Sequence, residues 1–246
     1  MSLIAIDSHV HFHSTSGAIE ALSIANEKLA GNVGRIGVVM LAERQGFNVL
    51  DDLRSSLIAT DEPEAFWFDE SRSLLILAGR QIISAEKLEI LALATTAILP
   101  DGLPAERIVA EMDAADAIVV LPWGVGKWIG KRGMLVDRLI ADARPGRLFL
   151  GDNSGRPGFW PVRQFNGALP VLSGSDPLPL PGWQQYVARL VSVIDADLSS
   201  ETPAASLKAA LRDAATQIER LGSLAGAVRF VTDQAKLRLY GGKAVP

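Results

Sequence analysis

Short apolar runs alternate with longer amphipathic segments along most of this chain. The runs near residues 3–6, 35–41, 117–121 and 148–150 are apolar or β-branched, and polar residues follow directly after the first of them. Runs of this kind are typical of buried parallel strands. Apolar residues at helical spacing predict helices over residues 17–30, 48–59, 104–115, 133–143 and 203–221.

Residues 65–93 have a different pattern. Four extended runs are separated only by short polar breaks, which predicts hairpins instead of crossover helices. The tail over residues 226–240 alternates only weakly. Taken together, the alternation of strands and helices predicts an α/β fold with a mainly parallel sheet in a single domain over 1–246. Whether about 182–246 packs as part of that domain stays open at this point.

Chemistry in α/β barrels lies on the loops that follow the carboxyl ends of the strands. The polar or aromatic residues that follow the predicted strands are therefore the first candidates for a functional site. They are His9, His11, Glu43, Gln81, Glu89, Trp123, Asp152, Asn153 and Asp176.

All three histidines of the protein lie in one heptad, as His9, His11 and His13. Side chains alternate between the two faces of a strand, so these three point the same way. Neutral imidazoles are good ligands for zinc, iron and similar ions. Ordinary surface or capping histidines are the alternative. The spacing of two, directly after an apolar strand and nowhere else in the chain, favours a metal or catalytic site.

The segment Asp7-Ser-His-Val-His11 resembles the opening motif of the amidohydrolase superfamily and of the polymerase-and-histidinol-phosphatase (PHP) family. Segments 79–93, 117–123 and 173–176 resemble later PHP motifs in order and spacing, so the resemblance spans about residues 3–180. It implies an irregular (β/α)7-8 TIM-like barrel of the PHP type and a metal-dependent hydrolase.

Four positions depart from the family pattern. Gln81 stands where the family has a glutamate, and Glu89, Leu121 and Leu178 stand where it has histidines. The resemblance implies a cluster of more than one metal, but leucine cannot bind a metal. The ligands that it leaves for a metal are His9, His11, Asp176 and, as an oxygen substitute, Glu89. These suffice for one divalent ion (zinc, manganese or iron), or the site holds none.

Asp176 follows the last apolar run in Ser-Gly-Ser-Asp. The resemblance makes it a metal ligand, and beside a metal it is also a candidate general base. The plainer reading is an aspartate that caps a turn.

The glycine-rich loop over residues 122–133 lies between a predicted strand and a predicted helix, where backbone N–H groups favour anions. We interpret Lys127 and Arg132 as binding a substrate phosphate or carboxylate, with Trp123 as a wall of the pocket. A solvated surface loop explains the same residues equally well.

A second loop, over residues 151–160, also follows a strand. Asp152 is a candidate metal ligand or base, and Arg156 is a candidate for bidentate binding of an anion. The run Asp-Asn-Ser-Gly within it is equally typical of turns.

Composition narrows the class of protein. The net charge is −4, and there are no cysteines, which excludes disulfides, thiolate metal sites and a cysteine nucleophile. An acidic chain predicts no nucleic-acid partner and no anionic membrane surface. The family resemblance and the basic loops indicate a small anionic substrate. No apolar run reaches the length of a membrane span and no signal peptide is evident, so we expect a cytoplasmic protein.

Three hypotheses about function follow. The first is a PHP-like hydrolase of a phosphoester, or of an amide or lactone if the amidohydrolase likeness is nearer, with Asp176, Asp152 and His13 as catalytic candidates. In it, the metal activates a water and polarises the scissile group. The second is a barrel that has lost catalysis and binds a ligand or a protein partner. The third is a metal-free enzyme, such as a lyase with a histidine base.

Overall fold

The computed structural model describes residues 2–240, which form two β-sheets with helices on their outer faces. The strands are β1 Ser2–Val10, β2 Ile36–Leu41, β3 Ile58–Ala59, β4 Ala65–Trp67, β5 Leu74–Leu77, β6 Gly79–Ile83, β7 Glu89–Leu93, β8 Ile118–Pro122, β9 Leu148–Asn153, β10 Val171–Gly174, β11 Leu190–Ala196 and β12 Glu219–Gly222. The α-helices are α1 Thr15–Asn26, α2 Val49–Leu53, α3 Ala105–Ala114, α4 Gly130–Ala141, α5 Pro203–Arg212 and α6 Ala227–Tyr240.

Both sheets are mixed. The first has the order β12-β11-β1-β2-β5-β4-β3, and the second has the order β10-β9-β8-β7-β6. Parallel pairs occupy the middle of the first sheet (β1–β2 and β2–β5) and one side of the second (β8–β9 and β9–β10). The remaining pairs are antiparallel, including β1–β11, β6–β7 and β7–β8.

The core has three apolar layers. The central layer lies between the two sheets, and helix α5 adds Leu207 and Leu211 to it. A second layer lies between the first sheet and helices α1 and α2, and a third lies between the second sheet and helices α3 and α4. Strands covered on both faces read as continuous apolar runs, which is why β1, β2, β5 and β8 stand out in the sequence.

The expected (β/α)7-8 TIM-like barrel is wrong. Among residues 2–240 the strands divide between two mixed sheets that do not close into a barrel. Between β2 and β6 the sheets are joined only by an isolated bridge, Glu43 with Arg80. The two sheets also meet at β1 and β10. These strands are not paired in a ladder but are joined by individual hydrogen bonds, such as the one that the Ser8 hydroxyl donates to the Ser173 carbonyl at 3.0 Å. Antiparallel hairpins take the place of βα units, because several breaks are too short for a crossover helix.

Two predicted elements near the C-terminus also differ from the structure. The helix predicted over 203–221 ends at Arg212, where the Asp213 side chain accepts a hydrogen bond from the Ala215 amide and starts a turn. The chain then forms strand β12. The weakly alternating tail is helix α6.

The last third of the chain completes the first sheet. Strand β11 pairs antiparallel with β1, and β12 pairs with β11 at the sheet edge. None of the helices in the described part of the chain has the length and hydropathy that crossing a membrane requires.

Candidate metal centre

His9 and His11 lie at the carboxyl end of β1, where the pairing with β2 shifts in register between Asp7 and Val10. Both side chains are buried. Their Nε2 atoms are 3.0 Å apart, and the rings meet edge to face at 71°. The spacing of two in the sequence brings the imidazole nitrogens of His9 and His11 to one point, whereas His13, which was expected to point the same way, lies beyond the end of β1 and does not join them.

Asp176 reaches the same point from the loop after β10. A Cβ atom on Gly174 would lie 2.5 Å from the Cβ of His9, so only glycine allows β10 to pass this close to β1. The Asp176 amide donates to the His9 carbonyl at 2.8 Å. Asp176 has a left-handed backbone (φ 45°), which aspartate tolerates better than most residues.

The carboxylate of Asp176 completes a group of three metal-ligand side chains. Its Oδ1 atom lies 3.7 Å from His9 Nε2 and 3.6 Å from His11 Nε2. Two donor atoms that share a metal at about 2.1 Å can be at most about 4.2 Å apart. The three distances in this group satisfy that limit. We call these three residues the His9–His11–Asp176 cluster.

The chemistry of the donor set also fits a divalent ion. Two histidines and one carboxylate are found in catalytic zinc sites and in non-haem iron sites, where further positions stay open to substrate. Burial, and next the nearby His9, hold the pKa of His11 well below its usual range. His11 is therefore neutral at neutral pH, and a neutral imidazole is the form that binds a metal.

Asn153, at the end of β9, positions the carboxylate of Asp176. Its Nδ2 atom donates to Asp176 Oδ2 at 3.2 Å and to the Trp123 carbonyl at 2.9 Å, and its Oδ1 atom accepts from the Gly155 amide. Asn153 thus binds one oxygen of Asp176 and leaves the other facing the histidines. The sequence marked Asn153 only as a polar residue after a strand.

A second buried carboxylate, Asp7, lies beneath the cluster. It accepts hydrogen bonds from the Ser175 hydroxyl at 2.5 Å and from the Ser175 and Ala188 amides at 2.8 Å. Burial raises the pKa of Asp7 to about 6 in spite of these bonds, because no hydrogen-bonding partner carries a positive charge. Asp7 ties the loop of Asp176 to the strand of the histidines.

The cluster opens into a cavity of about 490 Å³. Predicted site residues Glu89, Trp123 and Lys127 line it together with His11 and Asp176. The ammonium of Lys127 pairs with the carboxylate of Glu89. Glu89 is thus on the cavity wall, bound to a cation, and outside the His9–His11–Asp176 cluster.

Helix α6 and the loop after β2 form other parts of the cavity wall. Phe230, Asp233 and Gln234 of α6 line it, and so does Arg44, which the sequence analysis did not single out. Arg44 is adjacent to Glu43 after an apolar strand, and that position was the one signal that could have found it.

Asp152 and Arg156 form a separate, closed ion cluster. Arg156 donates from Nε and Nη2 to the two carboxylate oxygens of Asp152, each at 2.7 Å, and Arg220 donates to Asp152 at 3.2 Å. Both Asp152 and Arg156 are buried. We call these three residues the Asp152 ion cluster; they do not line the cavity.

Two more predicted site residues also lie outside the cluster. His13 Nε2 is 2.8 Å from the Pro177 carbonyl oxygen, and the ring packs edge to face on Trp183. Arg132 donates to the Gly126 carbonyl at 2.9 Å. Their catalytic and substrate-binding roles stay predictions.

The four departures from the family pattern have different surroundings. Leu121 is fully buried in the apolar layer under α3 and α4, whereas Leu178 and Gln81 line the cavity with Glu89. Leucine side chains offer no donor atom, so neither Leu121 nor Leu178 adds a metal ligand to the His9–His11–Asp176 cluster.

Comparison with known proteins places the fold. No family model matches the chain, and no curated protein matches it. Among solved structures, PsfC from Pseudomonas syringae PB-5123 matches with a TM-score of 0.57 and 14% identity over 97% of this chain and 99% of PsfC. The lesion-specific endonuclease PfuEndoQ from Pyrococcus furiosus matches with a TM-score of 0.57 and 15% identity over 89% of this chain and 59% of that one.

Endonuclease Q in complex with a 27-mer duplex that carries an abasic lesion matches with a TM-score of 0.56 and 14% identity, over 96% of this chain and 67% of that one. The chain therefore shares the fold of these structures. It spans about three fifths to two thirds of the length of the endonuclease Q structures.

These structures correct one expectation from the sequence. We expected a small anionic substrate and, from the net charge, no nucleic acid; this is wrong, because endonuclease Q, a structure of the same fold, is in complex with a duplex. Net charge is a property of the whole surface, whereas the local charge around a site decides which anions it binds.

Proposed function

We propose that this protein is a metal-dependent hydrolase of the PHP-like type that cleaves a phosphodiester bond in nucleic acid. The observation that carries the proposal is the His9–His11–Asp176 cluster, whose three donor atoms lie close enough together to share one divalent ion. A divalent ion supplies a Lewis acid for a phosphoryl group. The endonuclease Q structures of the same fold support nucleic acid as the substrate class.

In this proposal, different side chains bind the metal ion and orient its ligands. His9, His11 and Asp176 hold the ion, and Asn153 fixes the orientation of the Asp176 carboxylate. The cavity has a volume of about 490 Å³, and the basic residues Arg44 and Lys127 line it together with His11 and Asp176.

The test is cleavage of labelled oligonucleotides by protein that has been stripped with chelator and reloaded with zinc, manganese or iron(II). The substrates are a duplex with an abasic lesion, an undamaged duplex and the single strands. We expect cleavage that requires metal. The double variant His9→Ala/His11→Ala should lose at least about 100-fold in rate, since removing even outer partners of a metal costs about 10- to 100-fold.

If no cleavage is seen, measuring the metal content of the protein distinguishes two causes: the protein binds no metal, or the oligonucleotides tested are not its substrate. Wild-type protein should bind one equivalent by elemental analysis, and the double variant should bind none. His13→Gln is the matched control for metal content, because His13 belongs to the same heptad but its Nε2 atom meets the Pro177 carbonyl and is not one of the three converging donor atoms. Absence of bound metal in the wild type, together with no cleavage of any oligonucleotide, would contradict the proposal.

A second candidate is a protein of the same fold that binds a ligand without catalysis. Leu121 and Leu178 favour it, because they stand where the family resemblance implies ligands. Binding of oligonucleotide with unchanged affinity in the His9→Ala/His11→Ala variant, and without turnover in any metal, is the result expected from this candidate.

A further inference from the structure

Among the described residues that line the cavity, Arg44 is the cation whose charge no neighbouring residue of the described chain neutralises. It follows β2 and lines the cavity with His11 and Asp176. Its side chain is partly buried. Within residues 2–240 its guanidinium makes no hydrogen bond and no ion pair, whereas the other cation on this wall, Lys127, pairs with Glu89. A guanidinium next to a metal-ligand cluster is available for an anion from outside.

The carboxylates around Arg44 are already engaged. On the cavity wall, Asp233 pairs with Arg229 at 3.3 Å and Asp176 accepts from Asn153. The adjacent Glu43 turns away, where it accepts from the Leu50 amide at 3.0 Å. It also lies 3.7 Å from Arg80. Each acid near the site therefore has another partner in the described structure.

The charge balance of the cavity wall is positive once a divalent ion is bound. The Lys127–Glu89 and Arg229–Asp233 pairs each sum to zero, so the ion and Arg44 together face the single carboxylate of Asp176. The whole protein, by contrast, has a net charge of −4. A site of positive charge in an acidic protein selects an anion at one place and repels it elsewhere.

We propose that Arg44 is the phosphate-binding residue of this cavity and that it holds a phosphate of a nucleic-acid strand beside the His9–His11–Asp176 cluster. The identity of the strand rests on the proposed function above. The planar guanidinium fork matches two phosphate oxygens, which an ammonium cannot do.

The other basic residues considered from the sequence are less suited to this role. Lys127 binds Glu89, Arg132 binds the Gly126 carbonyl, and Arg156 binds Asp152. Each would have to break an existing contact to hold a phosphate. Arg44 has no such contact to lose.

The test compares Arg44→Gln with Arg35→Gln. Arg35 is exposed and lies just before β2, so the two variants lose the same charge at opposite ends of one strand. Two probes are used on chelator-treated protein. Fluorescence anisotropy measures the binding of a short fluorescein-labelled single-stranded oligonucleotide, and inorganic phosphate is then added to compete with that oligonucleotide. Neither probe depends on turnover, so a failure of the proposed nuclease activity leaves this test intact.

We expect Arg44→Gln to weaken oligonucleotide binding by about tenfold or more, the usual loss for a hydrogen bond to a charged group. The slope of log affinity against log salt should fall by about one, as for one lost phosphate contact. Arg44→Lys should restore only part of the affinity, because it restores charge without the fork. Arg35→Gln should stay near wild type.

Equal affinity of the Arg44→Gln and Arg35→Gln variants for the oligonucleotide overturns the proposal. Weaker competition by inorganic phosphate with unchanged oligonucleotide binding also overturns it, since Arg44 would then bind a free phosphate and not a strand. Thermal unfolding of both variants should match the wild type closely, because Arg44 makes no described contact whose loss would destabilise the fold.

Discussion

Two buried polar clusters at the same end of the molecule have opposite designs. The Asp152 ion cluster is closed: its carboxylate receives three N–H bonds from two guanidiniums, and the Asp152 side chain is 1% exposed. The His9–His11–Asp176 cluster is open: it has one carboxylate and two imidazoles, and Asp176 is 22% exposed on the cavity. Two neighbouring residues of β9 take part in the two clusters. Asp152 belongs to the Asp152 ion cluster, and Asn153 binds Asp176 of the His9–His11–Asp176 cluster.

The difference shows which buried polar groups stabilise a fold and which are available for chemistry. A buried charge is costly unless paired, and the Asp152 ion cluster pairs it completely, so nothing remains for a ligand. In the open cluster the ring nitrogens and one carboxylate oxygen converge on one point. That donor set is of the kind that would share a divalent cation.

The largest effect that we expect is on the closed cluster. Asp152→Ala leaves the buried Arg156 without its counter-ion, and losing one partner of a buried pair costs about 3–5 kcal/mol of unfolding free energy. Urea unfolding measures it. The control is Asp51→Ala, which removes an exposed pair with Arg54 and should cost under about 1 kcal/mol. A similar cost in the two variants would show that the closed cluster is not stabilising.

The next effect concerns Asp7, a buried carboxylate that accepts hydrogen bonds but has no cation in its hydrogen-bond shell. Its folded-state pKa of about 6 lies above the usual 3.8, so the folded state holds the proton more tightly than the unfolded chain. Its contribution to stability is therefore full below roughly pH 4 and falls by about 3 kcal/mol as pH rises to roughly 6.

Unfolding of chelator-treated wild type and Asp7→Asn across this pH range checks the expectation. Other titrating groups cancel in the difference between the two proteins, because they are common to both. The stability advantage of the wild type should shrink from pH 4 to pH 6 and then stay level. A difference that does not change with pH would mean that Asp7 titrates normally in spite of its burial.

The smallest effect concerns Asn153, which orients the open cluster without belonging to it. Asn153→Ala removes the donor to Asp176 Oδ2, and we expect metal affinity to fall by about tenfold, as for other partners of metal-ligand side chains. Competition with a chromophoric chelator measures it. Asn166→Ala, at an exposed site, is the control. Unchanged affinity in Asn153→Ala would mean that Asp176 is held by its backbone alone.

The sequence predicted the open cluster better than its surroundings. A spacing of two in an apolar strand places His9 and His11 on one face, and the family resemblance, together with a position after a strand, made Asp176 a candidate. The sequence could not show whether Asp152 or Asn153 faces the cavity. Successive residues of β9 face opposite sides of the sheet, and only the register with β10 decides which side meets the cavity.

The expectation of a mainly parallel sheet in a TIM-like barrel was wrong, because both sheets are mixed. The short breaks within residues 65–93 did indicate the hairpin β6–β7, but apolar runs do not show strand direction, so the antiparallel β1–β11 pair could not be predicted from them. Arg44 was missed for a related reason. The value of an arginine as an anion ligand depends on whether its neighbours neutralise it, and those neighbours come from distant parts of the chain.

The close passage of β10 over His9 has a consequence for biosynthesis. Ser8 and Ser173 touch across 165 positions of sequence, and Asp176 is fixed by the His9 carbonyl. During synthesis of the chain, His9 and His11 are therefore made long before Asp176. Before the chain has reached Asp176, only the two imidazoles of the cluster are present. Tight uptake of a divalent ion would then report that β10 has packed against β1, while β11, β12 and α6 still follow along the chain.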